Sequence, residues 1–136
     1  MAGPTTSGLA ALIGGEGWRY VGETDEPALG TGWENLGGSW PALAFRLREV
    51  GQVDVVGAIR ATMDAPDAPV VFAEDYRPNE YAPIGPQTHQ PAAGGLGIVN
   101  GVVTGSGTLS LTSAAGILDN DIVYISGSFP LDTAAP

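Results

Sequence analysis

Between Ala42 and Arg60 the sequence alternates with a period of two, and it does so twice across a glycine turn. Leu43, Phe45 and Leu47 fall on one side, and Ala42, Ala44, Arg46 and Arg48 on the other. After Glu49-Val50-Gly51 the alternation resumes, with Val53, Val55, Gly57 and Ile59 inward and Gln52, Asp54 and Arg60 outward. Successive side chains of an extended strand point to opposite faces, so this pattern marks two half-buried strands joined as a hairpin. A hairpin with one apolar face is not stable alone. It needs a second apolar layer over it, and the rest of the chain has to supply that layer.

The remaining segments read as short strands separated by turns. Trp18 to Val21 is a strand, Glu23 to Gly32 a loop, and Gly32 to Leu36 a short strand stopped by Gly37-Gly38. Val70 to Phe72 is a short strand after the Ala61 to Pro69 loop. Asn79 to Gly97, rich in proline, reads as a loop. Asn100-Gly101 has the signature of a two-residue hairpin turn, because both residues accept positive φ at low cost. Leu109 and Leu111 alternate with Thr108, Ser110 and Thr112; Asp119 to Asp121 turns into a last strand, Ile122 to Ser126; Phe129 to Pro136 is a tail. About eight short strands with no amphipathic helix predict an all-β fold, an antiparallel β-sandwich or jelly roll. At 136 residues the chain is one domain, with residues 1–17 as an extended N-terminal arm and 18–136 as the β-sandwich head.

Charge and composition narrow the chemistry. Fifteen acidic residues stand against five arginines, for a net charge of −10. Nucleic-acid binding by counterion release needs a basic face that this chain lacks, and anionic membrane surfaces are disfavoured for the same reason. No apolar run approaches the roughly 20 residues of a membrane span. There is no cysteine, which excludes disulfides, thiolate metal sites and a cysteine nucleophile. The single histidine, His89, is the only candidate base for a serine nucleophile, but it lies among Pro, Gln and Thr with no Ser-Gly elbow nearby. It is expected as a solvent-exposed loop residue.

Glu74-Asp75 would point to opposite faces of a strand, which does not suit a glycosidase pair, so a turn or edge position is expected. Gly94-Gly95-Leu96-Gly97 lacks the ending of a phosphate loop. Asp119-x-Asp121 is expected to cap its turn through side-chain hydrogen bonds. The alternative is three copies gathered around Ca²⁺ on a symmetry axis. No catalytic residue, cofactor or metal is assigned, and the chain is read as a non-enzyme.

Contact with partners is the more promising reading. Leu9, Leu12 and Ile13 form an apolar cluster in the arm, expected to dock on another chain, against the alternative of a disordered tail. Trp18, Trp33, Trp40, Tyr20 and Tyr81 suit a core or subunit interface, or a platform on which a sugar stacks. Of these, Trp33 and Trp40 are the candidates for subunit-interface or glycan contact. Arg46 and Arg48, two of only five cations, fall on the outward face of a strand and are expected to pair with acidic residues of a neighbouring subunit, against the alternative of simple solvation.

The order Trp18-x-x-Val21-Gly22, Glu26-Pro27-Ala28-Leu29, Gly32-Trp33-x-Asn35, Phe45-Arg46, Gly51-x-Val53-x-Val55-x-Gly57 and Tyr76-Arg77-Pro78 resembles the head-domain module of actinobacteriophage minor tail and fibre-like virion proteins, over roughly residues 16–130. Leu29 stands where that family usually has Phe, and Thr31 where Asn is common, so a ligand contact in that loop is not carried over. The resemblance implies a virion structural protein, made in the host cytoplasm, with a β-sandwich that trimerises about a three-fold axis. Two roles are expected. One is a homotrimeric capsid decoration protein that binds the major capsid protein through its arm and stabilises the head exterior. The alternative is a receptor-binding head at the tail tip, attached to tail proteins and recognising host cell-surface glycan.

Overall fold

The computed structural model describes residues 17–48 and 51–131. Among the described residues eight strands account for most of the regular structure: β1 Arg19–Tyr20, β2 Trp33–Asn35, β3 Ala44–Leu47, β4 Gln52–Ala61, β5 Ala82–Gln90, β6 Gly97–Val103, β7 Leu109–Thr112 and β8 Ile122–Pro130. A 3₁₀ turn at Glu74–Tyr76 is the only helical element among the described residues. The strands form one antiparallel sheet in the order β1-β3-β4-β8-β5-β6-β7, with β2 paired to β4. The expected all-β, antiparallel, sandwich-like fold is the one observed.

The β3–β4 hairpin forms as its alternation requires, from Leu47 opposite Val53 to Ala44 opposite Val56. Phe45, Val53, Val55 and Ile59 are buried, while Arg46, Asp54 and Arg60 face outward. Gly57 has no side chain for a steric reason, since a Cβ there would lie 2.5 Å from the Leu43 Cα. Strand β8 follows β4 along its length, from Gln52 opposite Pro130 to Arg60 opposite Ile122.

The sheet forks at β5. That strand pairs with β8 only from Thr88 opposite Tyr124 to Gln90 opposite Ile122, and beyond Thr88 it pairs with β6 alone. Two residues past Thr88 comes Pro86, which has no N–H to continue the ladder. The Gln87 side chain closes the gap, its Oε1 accepting the Ser126 N–H at 2.7 Å. Past the fork the two halves of the sheet face one another. Val70 to Phe72 lies along the β7 edge through Leu109 N–H to Val70 O and Phe72 N–H to Gly107 O. From there the Phe72 ring reaches Phe45 on β3 at 5.1 Å and Phe129 on β8 at 5.6 Å. Phe45, Phe72 and Phe129 are all fully buried, so one core holds both halves.

Four expectations are corrected. Asn100-Gly101 is not a turn: both lie inside β6, opposite Pro86 and Gly85 on β5. Glycine favours the packing there, because a Cβ would meet the Ile84 side chain, Cγ1 at 2.7 Å, and force it to shift. The supposed loop of 79–97 contains the nine-residue strand β5. The supposed tail contributes the end of β8, with Phe129 in the core. Val70 to Phe72 makes an isolated bridge, Val71 with Thr108, in place of a strand. The arm, and with it Leu9, Leu12 and Ile13, lies outside the described residues.

Candidate functional site

Trp40 is displayed by a loop closed at its neck. Leaving β2, Leu36 N–H bonds Ala58 O at 2.9 Å, and on the return Ala58 N–H bonds Pro41 O at 3.0 Å. The Asn35 Oδ1 accepts Leu43 N–H at 2.9 Å and ties the two strand ends together. Inside the loop, Gly37 and Gly38 take positive φ, and Trp40 N–H bonds Gly37 O. The result carries Trp40 onto the outer face of the sheet. Its ring sits 4.8 Å from that of Tyr124 at 52°, and it remains 51% exposed.

Tyr124 is fixed in turn, its hydroxyl donating to Gln90 Oε1 at 2.8 Å. Thr88, opposite Tyr124 on β5, and Ile98, opposite Thr88 on β6, continue the row outward, both exposed. The Gln90 amide nitrogen has no partner among the described residues. The surface thus offers a wet aromatic face bordered by amide and hydroxyl groups, and its geometry is set before any ligand arrives. A pyranose, with an apolar C–H face and a polar rim, matches that arrangement.

The other residues expected to make contacts are placed differently. Trp33 is core, 7% exposed, with its indole N–H donated to Asp67 O. It therefore has little surface to offer a glycan or a neighbouring subunit. Arg46 and Arg48 find an acid within the chain. Both bond Asp54, on Oδ2 at 3.2 Å and Oδ1 at 3.0 Å, because Arg46 and Asp54 are cross-strand neighbours. The Arg46 guanidinium also lies 4.4 Å over the Trp18 ring. Of the four residues expected at an interface or glycan site, the structure leaves Trp40 as the exposed aromatic.

A second constellation is hidden in the sequence. His89 is not an exposed loop residue: it is 4% exposed on the inner face of β5, with Nε2 at 2.9 Å from Asp121 Oδ2. Asp121, 3% exposed, also accepts Ala92 N–H on Oδ1 at 2.9 Å and Leu118 N–H on Oδ2 at 3.0 Å. Burial pushes the Asp121 carboxyl up, but the Leu118 and Ala92 hydrogen bonds and the His89 ring together outweigh it and hold the pKa below the ordinary carboxylate value. The Leu118 bond runs backward from Asp121 to the N–H three residues earlier, so it closes the turn from its far end and is not the forward Asx cap expected of Asp119-x-Asp121. With both Asp121 oxygens already accepting, the carboxylate is committed to the fold. Among the described residues no group of three or more His, Cys, Asp or Glu side chains is arranged to hold a metal ion.

His89 and Asp121 form the floor of a cleft of about 480 Å³ between the β5–β6 and β7–β8 loops. No serine, threonine or tyrosine among the described residues lines it, so the pair has no nucleophile there to activate. Glu74 and Asp75 sit in the 3₁₀ turn, in keeping with the turn position expected of them. Compared with protein-family models, curated proteins and solved structures, the chain matches none of them.

Proposed function

We propose that this chain is a non-enzymatic virion protein of a tailed phage that works by surface recognition, with the Trp40–Tyr124 face binding a saccharide of the host envelope. The observation that carries the reading is the presentation of Trp40: a half-exposed indole on a hydrogen-bonded loop, packed at a tilt against a tyrosine that a glutamine holds. Leaving an indole half in water forgoes burial worth roughly 1 kcal/mol or more. A closed loop that keeps it there is economical if the ring meets a partner. Of the two virion roles, the tail-tip receptor-binding head uses this face directly. Capsid decoration instead rests on Leu9, Leu12 and Ile13, outside the described residues.

The test is binding of the purified chain to actinobacterial cell-envelope polysaccharide, followed by tryptophan fluorescence and by pull-down. Wild type is expected to bind saturably. Trp40→Ala should weaken binding at least tenfold, and Tyr124→Phe less, with circular dichroism unchanged. Undiminished binding by folded Trp40→Ala would refute the assignment of this face. Absence of wild-type binding to any envelope polysaccharide would refute the receptor role.

A further inference from the structure

The cleft over His89 has features that the aromatic face does not explain. With the Asp121 carboxylate able only to accept, the hydrogen between it and His89 is carried on Nε2. That assignment follows from the hydrogen-bond network. The ring's other nitrogen, Nδ1, then has no partner among the described residues, although His89 is 4% exposed. A buried ring nitrogen left unpaired is costly, and buried polar groups are nearly always satisfied. His89 lines the cleft, so an occupant of the cleft can reach its ring. In the neutral ring Nδ1 is an acceptor, and a donor on the occupant would pair it.

The mouth of the cleft sets the charge of the occupant. Asp64 and Asp119 both line it and both are exposed. Asp64 Oδ1 accepts the Asp119 N–H at 2.9 Å, which holds the two residues together. The Asp119 carboxylate itself has no partner among the described residues. Between mouth and floor the walls are apolar, built from Pro91, Ala92 and Leu118. An acceptor below, carboxylates above and an aliphatic wall between them complement a cation carried on a short alkyl stem. At about 480 Å³ the cleft falls within the roughly 300–1,000 Å³ of small-ligand sites. The chain's net charge of −10 draws cations toward it.

We propose that the His89–Asp64–Asp119 cleft binds a guanidinium or ammonium group on a short alkyl stem, either the arginine or lysine side chain of a partner protein or a free amine. The site is independent of the saccharide reading, because it lies on the other face of β5.

His89 is the only histidine, so one pair of imidazole ¹⁵N resonances reports on the site without assignment. The intact chain at pH 8 is titrated with agmatine, with N-acetyl-arginine methylamide, and with n-butanol as the neutral control. The expected result is a saturable shift of the Nδ1 resonance with at least one cation and none with butanol. Asp64→Asn combined with Asp119→Asn is expected to weaken that binding at least tenfold. Both residues are exposed, and an asparagine side chain in place of Asp64 retains an Oδ1 acceptor for the Asp119 N–H, so the variant folds. A response to the capped arginine alone assigns the site to a partner's side chain, and a response to agmatine alone assigns it to a free amine. No saturable shift with either cation, an equal shift with butanol, or an unweakened double variant would overturn the proposal.

Discussion

Replacing Asp121 with alanine is the most direct test of how the loops around β5 and β8 are held. The substitution removes the acceptor of three hydrogen bonds, from Ala92 N–H, Leu118 N–H and His89 Nε2–H. Ala92 and Leu118 are exposed, so water replaces part of what their N–H groups lose, at about 1 kcal/mol each. His89 is buried, and its donor loses a charged acceptor that water does not readily replace, worth about 1.5–3 kcal/mol. The total is roughly 3–5 kcal/mol, the range found for breaking one side of a buried pair. With an m-value of about 2 kcal/mol/M, the urea midpoint should fall by roughly 1.5–2.5 M, read by tryptophan fluorescence. The pH dependence adds a check on cause. The folded Asp121 pKa lies below its ordinary value of 3.8, so the unfolded chain takes up this proton first as pH falls. The stabilisation from Asp121 is therefore fully present above pH 3.8 and is lost as pH falls through the lower folded value. The difference between wild type and variant should stay level from neutral pH to about pH 4 and narrow below it. A loss under about 1 kcal/mol, or a difference that does not narrow in acid, would show that the carboxylate is not the joint described.

Phe72→Ala should cost about 3–5 kcal/mol in chemical denaturation, because Phe72 is fully buried between Phe45 and Phe129 and leaves a cavity where the two halves of the sheet meet. Gly57→Ala should prevent folding or cost more than about 3 kcal/mol, since its Cβ meets Leu43 backbone at 2.5 Å and backbone cannot swing aside; soluble yield and thermal melts measure it. Gly101→Ala should cost only about 1 kcal/mol in the same melts, because the obstacle is the flexible end of Ile84. A much larger loss there would favour the positive-φ turn that the sequence suggests.

The parts of the fold legible in the sequence are those where hydropathy and strand parity coincide. In β3 and β4 every inward position from Phe45 to Ile59 is apolar or glycine, so alternation alone places the hairpin and its register. In β5 the coincidence fails. Its inward residues include Gln87 and His89, both buried, while Pro83 and Pro86 face out, so the strand carries loop chemistry on both faces. Proline is tolerated because the β8 side of β5 beyond Thr88 makes no ladder that an N–H must serve. Asn100-Gly101 misleads for a related reason: glycine can serve close packing as well as positive φ, and only the position of Ile84 decides which. The exposed site is half legible. Trp40 stands out as a candidate, but nothing in the sequence separates it from Trp33, because the difference is one of tertiary placement: Trp33 is buried with its indole N–H on Asp67 O, and Trp40 sits on a loop at the sheet surface. Arg46 and Arg48 are outward, as alternation predicts, and both reach Asp54, which sits directly across the hairpin from Arg46.

Thr88, His89 and Gln90 are consecutive, yet they serve opposite faces of the three-pair ladder that joins β5 to β8. Strand parity sends His89 inward to Asp121 and leaves Thr88 and Gln90 outward beside Tyr124. The two candidate sites are therefore back to back, separated by the thickness of one sheet. Backbone hydrogen bonds of the ladder fix that separation, so a perturbation on one face should reach the other only if the ladder itself moves. Tyr124→Phe removes the hydroxyl that Gln90 holds and leaves the ring on Trp40. It should loosen the outer face, visible as a weaker tryptophan response to saccharide, while the His89 imidazole resonances stay where they were. A displaced His89 signal in that variant would mean that the ladder transmits the change. The two sites would then be one coupled unit, and the independence assigned to the cation cleft would be wrong.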